Sequence, residues 1–311
     1  MLAASQSRTI GLACLLSATI QQASAQDASR YYTVQHPEQF KIDWGSFYKQ
    51  ADAMTAAVRA EFPHQLDLPY GTNVKQRLDL YLPKNKANNA PVFLFLHGGG
   101  FREGDRAQYG FVAKPFAEQG VITAVASYRL TGDGFKYPDQ PQDARHAFVW
   151  LYKHIAQYGG DPHRIYVGGH SAGAILSADI GVNRHWMKAA GIPEKAFRGM
   201  IPISGPYDLR TPGRKGEGDI YAATATLQAA ASPLLHITDP VPASIIAVGS
   251  TEAYVTSSEE LANKLTAAGA QATFLSLEGE DHRDTVHDLG DSNSVLAKAV
   301  LKMIHDVPPG Y

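Results

Sequence analysis

From residue 90 onward the chain repeats one pattern: a short continuous apolar run that ends in glycine, histidine or a charged residue, followed by a longer amphipathic segment. The apolar runs are PVFLFLHGGG, VITAVASYRL, RIYVGGHSAG, MIPISGPYDL, ASIIAVGS and ATFLSLEGEDH. Runs without polar alternation predict strands covered on both faces. The segments between them, Phe111 to Gln119, Gln140 to Tyr158, Gly173 to Asn183 and Ser257 to Ala268, predict helices. Strand alternating with helix predicts an α/β fold with a mostly parallel central sheet and helices on both faces. Pro141, Pro162, Pro193, Pro233 and Pro242 fall at the boundaries of these elements, where a missing N–H does no damage.

Upstream the period changes. In RLDLYLP the residues Leu78, Leu80 and Leu82 alternate with polar ones, which predicts a half-buried strand near a sheet edge. Before it, Trp44, Phe47, Tyr48, Ala51, Met54, Val58 and Phe62 recur three or four apart, an amphipathic helix that either packs on the body of the domain or lies over a site as a cap. Simple packing is the expectation. Residues 27–42 read as irregular, and the charged, glycine-rich RTPGRKGEGD as an exposed loop.

The first 25 residues have a different character. Arg8, an apolar run from Ile10 to Ile20 and Ala23-Ser24-Ala25 ahead of Gln26 have the layout of a cleaved secretory signal, too short to span a bilayer. A disordered or buried N-terminus is the competing reading. The expectation is export to the periplasm or the medium, with no membrane span in the mature protein. The chain then divides into a signal at 1–25, an N-terminal extension at 26–64 and one α/β domain at 65–311.

Composition narrows the partners. At 311 residues and 44% hydrophobic the chain can bury a large core. Its 28 Lys and Arg nearly balance 30 Asp and Glu with no basic block, so no nucleic-acid surface is expected. A small-molecule or polysaccharide partner fits better. The single cysteine, Cys14, lies in the signal, which leaves the mature chain without a disulfide, a thiol nucleophile or a thiolate metal site.

In an open parallel sheet, working groups collect at the carboxyl ends of the strands. RIYVGGHSAGA carries G-x-S-x-G as Gly169-His170-Ser171-Ala172-Gly173, after a strand and at the start of a helix. Such a turn lifts the serine oxygen clear of the sheet and leaves the Ala172 N–H at a helix start, so Ser171 is the candidate nucleophile and a glycine-packed turn the bland alternative. In FLFLHGGGF the consecutive glycines expose backbone N–H groups. Gly99 and Gly100, with Ala172, are the candidate oxyanion donors, and His97 is expected to brace the loop. No lysine follows these glycines as a phosphate-binding loop requires.

A serine hydroxyl needs a base, and the base a carboxylate. His282 follows the last strand and is the candidate base, ahead of His287 and His305. Glu252, three residues beyond Gly249, is the candidate acid, with Asp208 after MIPISGPYDL as its rival; Asp143 is expected to anchor the helix that carries Trp150. A metal cluster of His282, Asp284, His287 and Asp288 is disfavoured, because histidines five apart fall on different faces of a helix. No cofactor is expected.

HGGGF, SYRL, YPDQPQDARHAFVWLYKHIAQYGGDPHRIYVGGHSAGA and EDH together resemble the α/β-hydrolase superfamily of esterases and lipases. Within it the chain is similar to bacterial hydrolases related to kynurenine formamidase, feruloyl or acetyl esterases and hormone-sensitive lipase, over about Leu68 to Ile304. The resemblance implies a serine esterase acting on a small-molecule carboxylic ester, with Ser171, Glu252 and His282 as triad and Gly99, Gly100 and Ala172 as oxyanion donors. It also leaves room for an amidase or arylformamidase. Three positions depart from these relatives: Gly100 and Phe101 stand where the formamidase branch has an aromatic and tryptophan, Glu252 where aspartate is commoner, and Arg283 where an aromatic often follows the histidine. A non-catalytic binding module on the same scaffold is the reading from another class.

Overall fold

The computed structural model of the protein describes residues 43–85, 87–210, 221–238 and 241–306. The expected signal, the 27–42 segment, Cys14 and most of the RTPGRKGEGD loop lie outside the described residues. In chain order the elements are α1 (Trp44–Glu61), β1 (His64–Pro69), β2 (Arg77–Tyr81), β3 (Ala90–Leu96), α2 (Lys114–Glu118), β4 (Ile122–Ala126), α3 (Asp139–His154), β5 (Gly160–His170), α4 (Ala172–Val182), α5 (His185–Ala189), β6 (Phe197–Ile203), α6 (Ala225–Ala230), β7 (Ala243–Gly249), α7 (Val255–Ala267), β8 (Ala272–Leu277), α8 (Asp284–Leu289) and α9 (Val295–Asp306).

The strands form one eight-stranded sheet in the order β1-β2-β4-β3-β5-β6-β7-β8. β1 and β2 are antiparallel additions, and β3 to β8 run parallel. The continuous apolar runs have a direct explanation in the two cores that flank this sheet. Val92, Leu94 and Leu96 of β3 point into one, with Ala144, Phe148 and Ile175 from α3 and α4; Phe93 and Phe95 point into the other, with Phe47, Ala51 and Val58 of α1 and Val300 of α9. Both faces are apolar because both are covered.

Two strands differ from expectation. β2 lies near the sheet edge as expected, one place in, but Leu78, Asp79, Leu80 and Tyr81 are all buried. Its polar position is not a solvent face: Asp79 Oδ2 accepts from Arg59 Nη2 at 3.2 Å and Oδ1 from Arg106 Nε at 3.0 Å, and this pairing makes the burial of a carboxylate tolerable. The other is β8, whose apolar run predicts cover on both sides. It is an edge strand, and of its residues Leu277 alone is buried.

α1 packs on the body of the domain. Asp43 caps it, its Oδ1 accepting the Ser46 N–H at 3.1 Å. Thr55 Oγ1 donates to the Gln108 carbonyl at 3.1 Å and accepts the Phe111 N–H at 3.0 Å, which fastens the helix to the chain that follows the glycine loop. Among the described residues no helix is long and apolar enough to cross a membrane.

Candidate active site

Ser171 joins β5 to α4 with φ 57° and ψ −116°, outside the region an L-residue ordinarily occupies. Its neighbours in the motif show why both must be glycine. A Cβ on Gly169 would strike the carbonyl oxygen of Gly173, and one on Gly173 would strike that of Leu96 at the end of β3. The sheet and helix therefore approach so closely that only glycine fits on either side of the serine. Ser171 is 5% exposed, and its N–H donates to the Ile203 carbonyl at 2.9 Å.

The glycine loop after β3 runs beside it. Gly99 and Gly100 have φ of +115° and +59°, and the Gly99 carbonyl is turned inward to accept from the Arg102 and Glu103 N–H groups at 2.9 and 3.1 Å. Among the described residues, none accepts a hydrogen bond from the N–H of Gly99, Gly100 or Ala172. His97 braces the loop from below: its Nδ1–H donates to the Gly98 carbonyl at 2.6 Å, its ring stacks on Tyr128 at 4.4 Å, and its carbonyl accepts from Tyr128 Oη at 2.7 Å. Burial pushes its imidazole down to about 4, so the ring is a neutral strut at physiological pH.

Glu252 and His282 meet at the next two strand ends. His282 Nδ1 lies 2.6 Å from Glu252 Oε2, and the two residues are 6% and 2% exposed. The other carboxylate oxygen, Oε1, accepts from Ser204 Oγ at 2.5 Å and from the Gly249 N–H at 2.9 Å. Three donors thus surround a carboxylate withdrawn from water, the condition under which a buried charge is held. Asp208 has other work: its carboxylate accepts from Arg210 Nη2 at 2.6 Å and Nε at 2.9 Å. Asp143, fully buried, accepts from Gln76 Nε2 at 2.7 Å, the Arg129 N–H at 2.9 Å and Arg129 Nη2 at 2.7 Å, and so anchors α3 to the SYRL segment. His287 stacks on Phe47 at 5.2 Å, and among the described residues no three His, Cys, Asp or Glu side chains are grouped to hold a metal.

Sequence reasoning missed several neighbours of this cluster. Ser204 lies in MIPISGPYDL, where Asp208 drew attention instead; its signal is a small hydroxyl residue directly after a buried strand, and its φ of +56° marks a constrained turn. Around His282 stand the rings of His170 at 4.5 Å, Tyr254 at 5.4 Å and Trp44 at 6.2 Å, the last two edge-on. Trp44 belongs to α1, so the helix that packs on the body also brings an aromatic edge to His282.

A doubly covered, mostly parallel sheet with a strand-serine-helix elbow and a histidine-carboxylate pair at neighbouring strand ends defines an α/β-hydrolase of the esterase type. The chain belongs to the BD-FAE family, whose model matches residues 78–265. It is 26% identical over 248 residues to kynurenine formamidase of Danio rerio, covering 77% of this chain and 81% of that one. It is 30% identical over 239 residues to a probable isoprenylcysteine alpha-carbonyl methylesterase of Arabidopsis thaliana, covering 69% of this chain but 50% of that longer protein. Among solved structures, a putative thioesterase from Silicibacter superposes with a TM-score of 0.71 at 21% identity over 89% of this chain and 97% of the other. The carboxylesterase EstE1 superposes with a TM-score of 0.67 at 21% identity over 85% and 96%.

Proposed function

We propose that the protein hydrolyses carboxylic esters, short-chain or aryl, through an acyl-serine intermediate. The observation that carries this reading is the buried His282–Glu252 pair at 2.6 Å, at the same end of the sheet as the strained elbow of Ser171. Glu252 fixes the proton on His282 Nδ1, which leaves Nε2 as the basic nitrogen. In this scheme Ser171 Oγ attacks the ester carbonyl while His282 Nε2 takes its proton. The oxyanion is held by the N–H groups of Gly99, Gly100 and Ala172; one such donor is worth about 3–4 kcal/mol in the transition state. The imidazolium returns the proton to the departing alkoxide, and a water deprotonated by His282 then releases the acid. No cofactor enters the scheme.

The likeness to kynurenine formamidase favours a second reading, an amidase or arylformamidase run by the same groups, in which the leaving nitrogen is protonated by His282. Comparing turnover of a nitrophenyl short-chain ester with that of an aryl formamide separates the two. A fluorophosphonate probe tests what they share: it labels the wild type and not Ser171→Ala, and a wild type that resists labelling would leave only a binding module. The reading includes export, with the mature chain starting near Gln26; intact Met1 on cytoplasmic protein would remove that part.

A further inference from the structure

The residue before the proposed nucleophile touches three parts of the site at once. His170 ends β5 and is 1% exposed. Its Nε2 lies 2.7 Å from the backbone carbonyl of His282, a residue 112 positions away in sequence. A carbonyl oxygen can only accept, so Nε2 carries the proton and, in the neutral ring, Nδ1 is a bare lone pair. That Nδ1 is buried, makes no hydrogen bond among the described residues, and lies 2.9 Å from where a Cβ on Gly98 would stand. The ring therefore fills the gap between the start of the glycine loop and the ring of His282, whose centroid is 4.5 Å away. Burial, followed by the charge His282 would carry, holds the His170 imidazole well below its ordinary value. It stays neutral where a second positive ring would oppose the imidazolium that catalysis needs.

We propose that His170 is a positioning residue: its Nε2–H clamps the His282 carbonyl and sets the base loop at the correct distance from Ser171. The clamp rests on the triad reading given above. It acts at the main chain of His282, whereas Glu252 acts at the ring, so the two hold the base from opposite ends. Thr285 Oγ1 also donates to that carbonyl, at a longer 3.3 Å. A base displaced by an ångström from its nucleophile loses about 10²-fold in rate.

Two substitutions separate the hydrogen bond from the packing. His170→Gln keeps an amide N–H at the reach of Nε2 without the ring; His170→Phe keeps a ring and removes the donor. Active sites are counted by fluorophosphonate burst, and kcat is expressed per titrated site, so that partial misfolding does not enter the rate. The clamp predicts that His170→Phe loses about 10²-fold in kcat with KM within a few-fold of wild type, and that His170→Gln recovers at least tenfold of that loss. A purely structural role would lower the melting temperature and the fraction of titratable sites while leaving kcat per site unchanged. Wild-type kcat per site in His170→Phe, or a His170→Gln no faster than His170→Phe, would overturn the proposal. A wild type that the probe fails to label would instead overturn the triad itself, and the clamp with it.

Discussion

His282 Nδ1 and Glu252 Oε2 stand 2.6 Å apart, and the opposite oxygen of Glu252 is occupied by Ser204 and Gly249. Each carboxylate oxygen thus has one direction of use, and an amide at this position cannot serve both. In Glu252→Gln the amide N–H would face either a donor or the ring, and facing the ring it forces the proton onto Nε2. We expect kcat to fall about 10⁴-fold with little change in melting temperature. Asp208→Asn, which loosens the Arg210 pairing instead, should cost less than tenfold. A larger loss at Asp208 in folded protein would reverse the assignment.

Ser204 holds Glu252, the proposed acid, from behind. A hydrogen bond to a charged group is worth about 1.5–3 kcal/mol. Ser204→Ala should therefore lose stability of that order and reduce kcat, with Thr285 Oγ1, 2.9 Å from Ser204 Oγ, left as the nearest replacement donor. Urea unfolding gives the first quantity and ester turnover the second. Unchanged values for both would show that Glu252 is held without Ser204.

The difference between Glu252 and Ser204 shows what sequence carries. The elbow, the glycine loop and the order nucleophile, acid, base are properties of strand ends along the chain, and they are legible because each strand is a continuous apolar run. The sequence leaves two carboxylates open because Glu252 and Asp208 both follow strands, and only the fold decides which one reaches the histidine. Ser204, Trp44 and the His170–His282 contact depend on which strand lies beside which. Ser204 has no neighbour in the sequence that announces it. Trp44 was legible as a helix position, but the contact of that helix with His282 spans more than 200 residues. The full burial of β2 is hidden for the same reason: Asp79 looks solvent-facing until Arg59 and Arg106 arrive from elsewhere.

The closeness of β3, β5 and α4 predicts a sharp intolerance. A methyl group on Gly173 would meet the carbonyl oxygens of Leu96 and His97, atoms of main chain that cannot rotate away. Gly173→Ala should cost about 3 kcal/mol or more, or leave no folded protein to recover. Gly191→Ala is the contrast. Its φ of +69° carries a backbone penalty but nothing stands within 4 Å of the added carbon, so the loss should be near 1 kcal/mol. Equal melting temperatures for the two variants would refute the packing argument.

Trp44 presents its edge to His282 at 6.2 Å and 90°. Edge-to-face pairs are worth about 0.5–1.5 kcal/mol beyond the area they bury. If α1 contributes to the site as well as to the core, Trp44→Ala should lower kcat/KM by about 2- to 10-fold. Phe47→Ala, a core position on the same helix, should cost more stability, about 3–5 kcal/mol. A Trp44→Ala variant with wild-type kinetics would confine α1 to packing.

Glu280 supplies a pH dependence in the loop that carries His282. Burial and the neighbouring carboxylate of Asp288 push it up to about 8, against an ordinary glutamate value of 4.5. Between those values the folded chain holds a proton that the unfolded chain has released. The contribution to stability is thus complete below the ordinary value and is lost as pH rises through 8. The Glu280 main chain ties the His282 loop to the Glu252 loop, its carbonyl accepting from Thr251 Oγ1 at 2.7 Å. Glu280→Gln imitates the protonated carboxyl at every pH. Its melting temperature should gain on that of the wild type as pH rises from about 5 to about 9. Two melting curves that run parallel across that range would show that Glu280 ionises as freely in the fold as in the unfolded chain.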